Sequence, residues 1–494
     1  MKENENLKAR AISAMFYSFG GFVVGSGIQF VITVILARLL LPEDYGLLGM
    51  IVIFTSISQM FIDSGMTAAL IREKNPSEED FSTVFYYNLG LAILLYFVLF
   101  ISANVISGFF DEPQLVGIIR VVGINLIIGS FGLIQRTILV RKLDFKSQTK
   151  IEVLAGLIAG IIAILMAFLG FGVWSLVVQL LSKQLIISTL FILNNKWKPL
   201  LVFNFSSFKR LFGFGWKMLV TGLLATLYNN VYNIIIGRVY SSSQLGYYTK
   251  SIQLRDLAAH SITTSVEKVS YPLLSQLQNE RNSFKNGFMK IIKLSSFLTF
   301  PLMIGLTVAA NPLIYVIFGE KWIPMVPYFQ ILCLAGLTFP HRAINLNILK
   351  VVGRSDLFLR LDILKIVVGL LSIGFVIVMN LGIYGLLWSS FFHAQFAFFV
   401  NSMFSKRYIS YSTKNQLVDM TPSLIASILM GIAMYLTNKL LPFNAYTNLL
   451  LQIPIGFAVY VYVCKMFRIK ELETMIQLIR SLKRSINNKR RNSL

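Results

Sequence analysis

Residues 35–50 read ILARLLLPEDYGLLGM, and residues 235–250 read IIGRVYSSSQLGYYTK. Each interrupts a long apolar run with one arginine, preceded by a small residue (Ala37-Arg38, Gly237-Arg238). A glycine follows each arginine at the same spacing (Gly46, Gly246). The same punctuation written twice, 200 residues apart, means that the chain is an internal repeat of membrane helices, and the reading works outward from these two junctions.

Of 494 residues, 55% are hydrophobic and only 14% are charged, where a soluble domain carries roughly 25% charge. Such a chain cannot cover itself with polar surface. The apolar runs are continuous and long enough for helices to cross roughly 30 Å of hydrocarbon. They lack the period-two alternation of an outer-membrane barrel. The fold class is therefore all-α and integral to the membrane. The net charge of +23 is assigned to cytoplasmic loops and contact with anionic lipid, not to nucleic acid. Cys333 and Cys464 each stand alone in an apolar run, so neither a disulfide frame nor a metal site is expected. The N-terminal MKENENLKAR and the apolar run after it read as a retained first helix and not a signal peptide.

Fourteen spans are expected, at residues 13–37, 45–71, 81–106, 115–140, 151–169, 173–194, 217–237, 246–274, 289–310, 326–349, 357–379, 383–404, 418–438 and 446–467. The span at 246–274 is the least apolar. With the N-terminus inside, the outer loops hold only Arg38, Arg238, Lys321 and Lys439. The remaining loops carry clusters such as Arg141, Lys142 and Lys146, or Lys196, Lys198, Lys209 and Arg210. That bias predicts cytoplasmic termini. In the tail, Leu472, Met475, Ile476, Ile479, Leu482 and Ile486 recur at helical spacing among basic residues. This fits either an amphipathic helix on the inner leaflet or a merely solubilising tail.

Further matches extend the repeat. GFFDEPQL and FGEKWIPMVPYFQIL follow the third and ninth spans, and LGFGVW and LGIYGLLW close the fifth and eleventh hairpins. Gln135-Arg136 matches His341-Arg342, and Glu152 matches Asp362. The expected domains are an N-lobe (1–200), a C-lobe (201–405), two further helices (406–468) and a basic tail (469–494). Six spans per copy is even, so both copies enter from the same side. That is a parallel repeat about an axis along the membrane normal, suited to enclosing a central cavity that opens to each side in turn.

With these residues in hand, the chain resembles the Wzx-type polysaccharide flippases of the multidrug/oligosaccharidyl-lipid/polysaccharide exporter superfamily. The likeness rests on ARLLLPEDYGLLGM, FIDSGMTAALIR, QRTILVRKLDFK, LGFGVWSLV, IIGRVYSSSQLGYYTKSIQL, FPLMIGLTVAANPLIYVIFGEKW and LKVVGRSDLFLRLDILK, in family order over nearly the whole chain. It implies a transporter of the bacterial inner membrane, not an enzyme. Its substrate would be undecaprenyl-diphosphate-linked oligosaccharide for O-antigen, capsule or exopolysaccharide, moved from inner to outer leaflet. It also implies a cavity lined by the first, second, seventh and eighth helices, and a groove for the lipid tail on the last two. The partners implied are that lipid-linked substrate, membrane lipids, a coupling H+ or Na+, and polysaccharide-assembly proteins. One departure is Tyr232, which stands where relatives carry an acid.

Polar groups inside a membrane are expensive and mark function by default. The eighth span is the densest, with Gln253, Asp256, His260, Thr264, Glu267 and Tyr271 at three- and four-residue steps on one helix face. The other three cavity helices offer Gln29, Gln59, and Asn229, Asn230 and Asn233. A diphosphate needs cations, and the candidates are Lys250, Arg255 and Lys268, with Arg38 and Arg238 at the outer mouth. The two mouth arginines are equally read as interfacial snorkelling, and the eighth-span cations as internal pairing with Asp256 and Glu267. Asp63, Asp256, His260 and Glu267 are the candidates for ion coupling, a carboxylate or imidazole being able to carry a proton. Asp63 is equally a packing cap. His393 is read as a satisfied core histidine, and Glu152 and Asp362 as stabilising helix starts through the dipole. No catalytic residue and no cofactor is expected. The alternatives are a multidrug or cation antiporter of the same superfamily, a lipid II flippase, and a polysaccharide polymerase or ligase, for which the outer loops are short.

Overall fold

The computed structural model describes residues 24–277, 280–440, 444–477 and 480. At the opening stretch, helix α1 (Val24–Leu39) stops and α2 (Pro42–Asp63) begins on a proline. Proline has no amide hydrogen to leave unpaired and its φ is already helical, so it suits a first turn. Glu43 and Asp44 lie in that turn, where the helix dipole favours negative charge. The Leu41 amide donates to Asp44 Oδ2 at 2.8 Å.

The expected second span is not one helix. After α2, Ser64 (φ 45°) and Gly65 (φ 67°) are left-handed, a conformation that a right-handed helix cannot pass through. A short α3 (Met66–Arg72) follows. Arg141 caps it, donating to the carbonyls of Leu70 and of Glu73, the latter at 2.6 Å. The chain continues as α4 (Glu78–Phe110), α5 (Leu115–Arg141), α6 (Phe145–Phe168), α7 (Val173–Asn194), α8 (Phe205–Val239) and α9 (Ser242–Leu277). Helix α8 starts well before the expected residue 217, and its approach is held on the first turn of α4. Trp197 Nε1 donates to Glu78 Oε2 at 2.6 Å, and Arg210 Nη2 lies 2.6 Å from Asp80 Oδ1.

Beyond α9 come α10 (Arg281–Val308), α11 (Ala310–Phe318), a 3-10 turn (Glu320–Met325), α12 (Val326–Gly336), α13 (Phe339–Val351), α14 (Ser355–Val378), α15 (Gly382–Ile409), α16 (Thr413–Leu440) and α17 (Ala445–Met466). The expected tenth span is split between α12 and α13, because Pro340 in the first turn of α13 cannot supply an amide to the turn before it. Among the described residues, twelve helical segments are long and apolar enough to cross a membrane, and the described part of α1 is a shorter apolar stretch. Helix α9 is not among the twelve, its polar residues diluting its apolar ones. The chain is thus an all-α, multi-pass membrane protein. Side chains such as Ile101 (75% exposed) and Val105 (73%) on α4 are those a bilayer would cover.

Two compact units emerge, Met1–Thr249 and Lys250–Leu494. In the first, Ile32, Leu36 and Leu40 pack against Leu176 of α7 and against Ala163 and Ala167 of α6, two small residues that let α1 approach α6 closely. A second cluster joins Leu70, Phe85, Ile134 and Leu211. In the second unit, Phe288, Ile292, Ile344, Phe398 and Tyr411 form one core. Met430, Met434, Tyr460 and Cys464 form another, and the Tyr460 hydroxyl donates to the Phe297 carbonyl at 2.8 Å. The repeat shows in the turns. Left-handed residues recur at matching junctions, Asp111 with Gly319, Leu143 with Gly353, and Gly170 with Asn380.

Two expectations change. Glu152 and Asp362 do not sit at helix starts, because α6 and α14 begin earlier, at Phe145 and Ser355. They are instead paired, Glu152 with Arg136 at 3.6 Å and Asp362 with Lys365 at 2.5 Å. In the tail, the partly buried Leu472 and Met475 pack against the α16–α17 core, while Ile476 is exposed. Ile479, Leu482 and Ile486 lie outside the described residues.

Candidate functional site

The two opening stretches meet. The first turns of α2 and α9 cross so closely that a Cβ on Gly46 would stand 1.7 Å from the Ser242 carbonyl oxygen, and one on Gly246 1.9 Å from that of Pro42. Each glycine therefore faces the residue equivalent to the one that its own counterpart faces. That reciprocity is the signature of a two-fold relation. Only glycine permits it, since a real Cβ at those distances would overlap backbone. Gly237 extends the contact, its Cβ direction meeting Met50 and Phe110. Tyr232, where the family pattern has an acid, is buried and stacks on Tyr248 with 6.0 Å between ring centroids.

In the first unit, Arg238 donates to Asp111 Oδ2 at 3.2 Å and lies over the Phe109 ring, tying the end of α8 to the α4–α5 turn. Arg38 is exposed at the end of α1 and Gln29 is half-buried on the same helix. On α8, Asn230 donates to the Thr226 carbonyl at 2.9 Å, Asn233 donates to Asn230 Oδ1 at 3.3 Å, and Asn229 is exposed. Asp63 is the last residue of α2, where the dipole disfavours an anion. Its Oδ1 is buried without a hydrogen-bond partner among the described residues.

Gln59 enters a polar cavity of about 310 Å³ that the sequence reading did not foresee, lined also by Asn125, Arg136, Glu152 and Gln184. The glycines of α5 make the room. A Cβ on Gly129 would stand 3.5 Å from Gln184 Nε2, and one on Gly132 2.8 Å from Ser188 Oγ. The signal was present in the sequence. Asn125, Gly129, Gly132 and Arg136 are spaced at three and four residues along one face of α5.

In the second unit, Lys250 is buried and donates to Gln253 Oε1 at 3.0 Å. Arg255 is buried too. It pairs with Asp256 at 2.7 Å and stacks over the Phe339 ring. Arg342 stacks over the same ring. The structure thus brings Arg255 and Asp256 together as an internal pair. The side chains of His260, Glu267 and Lys268 lie outside the description. A buried polar network joins α10, α13, α15 and α16. Ser296 Oγ lies 2.8 Å from His341 Nε2, Asn345 and Gln416 exchange amide hydrogen bonds at 3.0 Å, and Gln416 also donates to Ser405 at 2.8 Å. His393 Nε2 lies 3.0 Å from the Lys365 carbonyl and is satisfied as expected.

Residues 35–327, which hold both opening stretches, match the family described as polysaccharide biosynthesis protein. The chain belongs to this family. Among its relatives is the teichuronic acid biosynthesis protein TuaB of Bacillus subtilis (strain 168), 30% identical over 61% of this chain and 63% of TuaB. The chain therefore matches somewhat less than two thirds of that relative's length. Another is the lipopolysaccharide biosynthesis protein WzxC of Escherichia coli (strain K12), 22% identical over 73% of this chain and 74% of WzxC. Among solved structures, the inward closed conformation of lipid II flippase MurJ superposes with a TM-score of 0.74 over 92% of this chain and 98% of MurJ, at 16% identity. At that identity the likeness shows the fold. The family places the chain among proteins of polysaccharide biosynthesis, and its fold is that of MurJ, in agreement with the fold that the motif resemblance implied.

Proposed function

We propose that this protein flips undecaprenyl-diphosphate-linked oligosaccharide from the inner to the outer leaflet of a bacterial inner membrane, by alternating access coupled to an ion gradient. The termini face the cytoplasm. Fourteen helices span, α9 being the polar one. Two parallel-repeat lobes (1–200 and 201–405) do the rocking, and the two helices of 406–468 hold the lipid tail. The observation that carries this reading is the reciprocal contact of Gly46 and Gly246. Two equivalent hairpins closing on each other without side chains between them form a seal that separates by one motion, and its place at the outer ends of the helices makes it the closed outer mouth. A flippase must close that mouth while it loads from inside. The fixed cations Lys250 and Arg255 suit a diphosphate, and Lys268 is assigned to the same role. Asp63, Asp256, His260 and Glu267 are assigned to ion coupling.

The test is genetic and chemical. Deleting the gene should abolish surface polysaccharide and leave lipid-linked oligosaccharide on the cytoplasmic leaflet, and the intact chain should restore export. Undiminished surface polysaccharide in the deletion strain would exclude the reading. Drug-stimulated ion flux by the purified chain, without lipid-linked sugar transport, would favour the antiporter alternative instead.

A further inference from the structure

We infer that the polar cavity of the first unit is a sugar subsite that holds one hydroxyl-rich ring of the substrate and contributes to glycan selection. The inference rests on the flippase reading and adds to it a site on α5, α6 and α7. The cavity, about 310 Å³, is near the lower end of the range that takes small organic ligands, enough for one ring and not for a chain. At its mouth Arg136 and Glu152 form an ion pair at 3.6 Å with side chains 53% and 42% exposed. A Gln148 amide donates to the same Glu152 oxygen at 3.0 Å. The pair cancels its own charge and still offers both donors and acceptors, which suits neutral hydroxyls better than a phosphate. Deeper in, Asn125 Oδ1 is buried with no hydrogen-bond partner among the described residues. Leaving a buried acceptor unpaired is costly, so the Asn125 amide gains by turning toward a hydroxyl in the cavity that its residue lines.

Position supports the assignment. Arg136 lies late in α5, Glu152 early in α6, and Ile187 and Phe191 late in α7. All are ends that the proposed orientation turns to the cytoplasm, where the glycan is loaded. Phe191 and Ile187 give the cavity an apolar wall, as the C–H face of a sugar ring requires. Gly129 and Gly132 set its depth, because larger residues there would meet Gln184 and Ser188. A site built to hydrogen-bond a hydroxyl rejects ligands lacking it far more strongly than an apolar pocket rejects a missing methylene.

The purified chain in lipid nanodiscs is titrated with undecaprenyl diphosphate bearing one hexose, one N-acetylhexosamine or no sugar. The expected result is that at least one sugared probe binds tenfold or more tightly than the bare lipid. Asn125→Leu and Gln184→Met should remove that preference while leaving bare-lipid affinity within twofold. A sugared probe carrying a diazirine should also label residues 125–136 or 184–191 of the wild-type chain, a readout that needs no variant. Preference retained in both variants, or labelling confined to other segments, would overturn the subsite. Equal affinity of the wild type for sugared and bare lipid would overturn the subsite and leave the flippase reading intact. Binding of neither lipid by the wild type would overturn the flippase reading itself.

Discussion

At the residue scale, Arg255 shows how a buried cation is accommodated in a membrane protein. Burial of an unpaired guanidinium is costly, and Asp256 at 2.7 Å with the Phe339 ring beneath it offsets that cost while leaving the Asp256 side chain 43% exposed. A diphosphate competing for Arg255 would displace Asp256 outward. Arg255→Ala is therefore expected to lower surface polysaccharide at least tenfold with membrane levels of the protein unchanged. Wild-type polysaccharide in that variant would remove Arg255 from the substrate path. The Asn345–Gln416 pair makes a stability prediction. Asn345→Leu alone takes from the buried Gln416 Oε1 the donor it has in Asn345 and should cost about 1–3 kcal/mol. Adding Gln416→Leu should cost much less than a second such loss, since both partners are then apolar. Thermal unfolding in detergent would show it, and strict additivity of the two changes would contradict it.

Charged residues were legible in the sequence as candidates, their partners much less so. The sequence offered internal pairing with Asp256 and Glu267 for all three eighth-span cations alike, and the structure shows that Arg255 takes Asp256, one position after it. Asn125 was passed over because it stands singly in an apolar span, and Gln184 because nothing in the sequence sets it opposite Asn125; only the α5 glycines facing α7 bring the two into one cavity.

At the scale of elements, helix ends were read least well. Apolar runs mark the hydrocarbon, whereas helices continue beyond it, so α8 and α10 begin at Phe205 and Arg281, well before the apolar stretches that betray them. Breaks were also hidden. The Ser64-Gly65 and Thr338–Pro340 interruptions lie within runs that hydropathy reads as continuous. The repeated hairpins, by contrast, were fully legible as a pair, and their reciprocal contact gives a direct prediction. In a variant lacking Cys333 and Cys464, both buried, a Leu245→Cys thiol should resist a membrane-impermeant maleimide added from outside, because Leu245 is fully buried beside Gly49 and Gly237. Adding Gly46→Val should wedge the contact open, raise the labelling rate at least tenfold, and abolish export. Equal labelling in the two backgrounds would mean that the hairpins are not a gate.

At the scale of the whole molecule, the all-α membrane class followed from composition, and the family followed from motifs in order along the chain. What composition could not provide is the number of crossings, because α9 combines the length of a span with too many polar residues to read as one. The central claim is that this chain moves a lipid-linked glycan across a bilayer, and it is tested most directly in sealed vesicles containing only the purified protein and undecaprenyl-diphosphate-linked oligosaccharide. The measured quantity is the fraction of glycan accessible to a glycosidase added outside, after the outer-leaflet glycan has first been trimmed. The account predicts that accessibility recovers with the wild-type protein under an imposed ion gradient and stays near the protein-free level with Gly46→Val. Recovery no faster than in protein-free vesicles for the wild type, under either H+ or Na+ gradients, would contradict it.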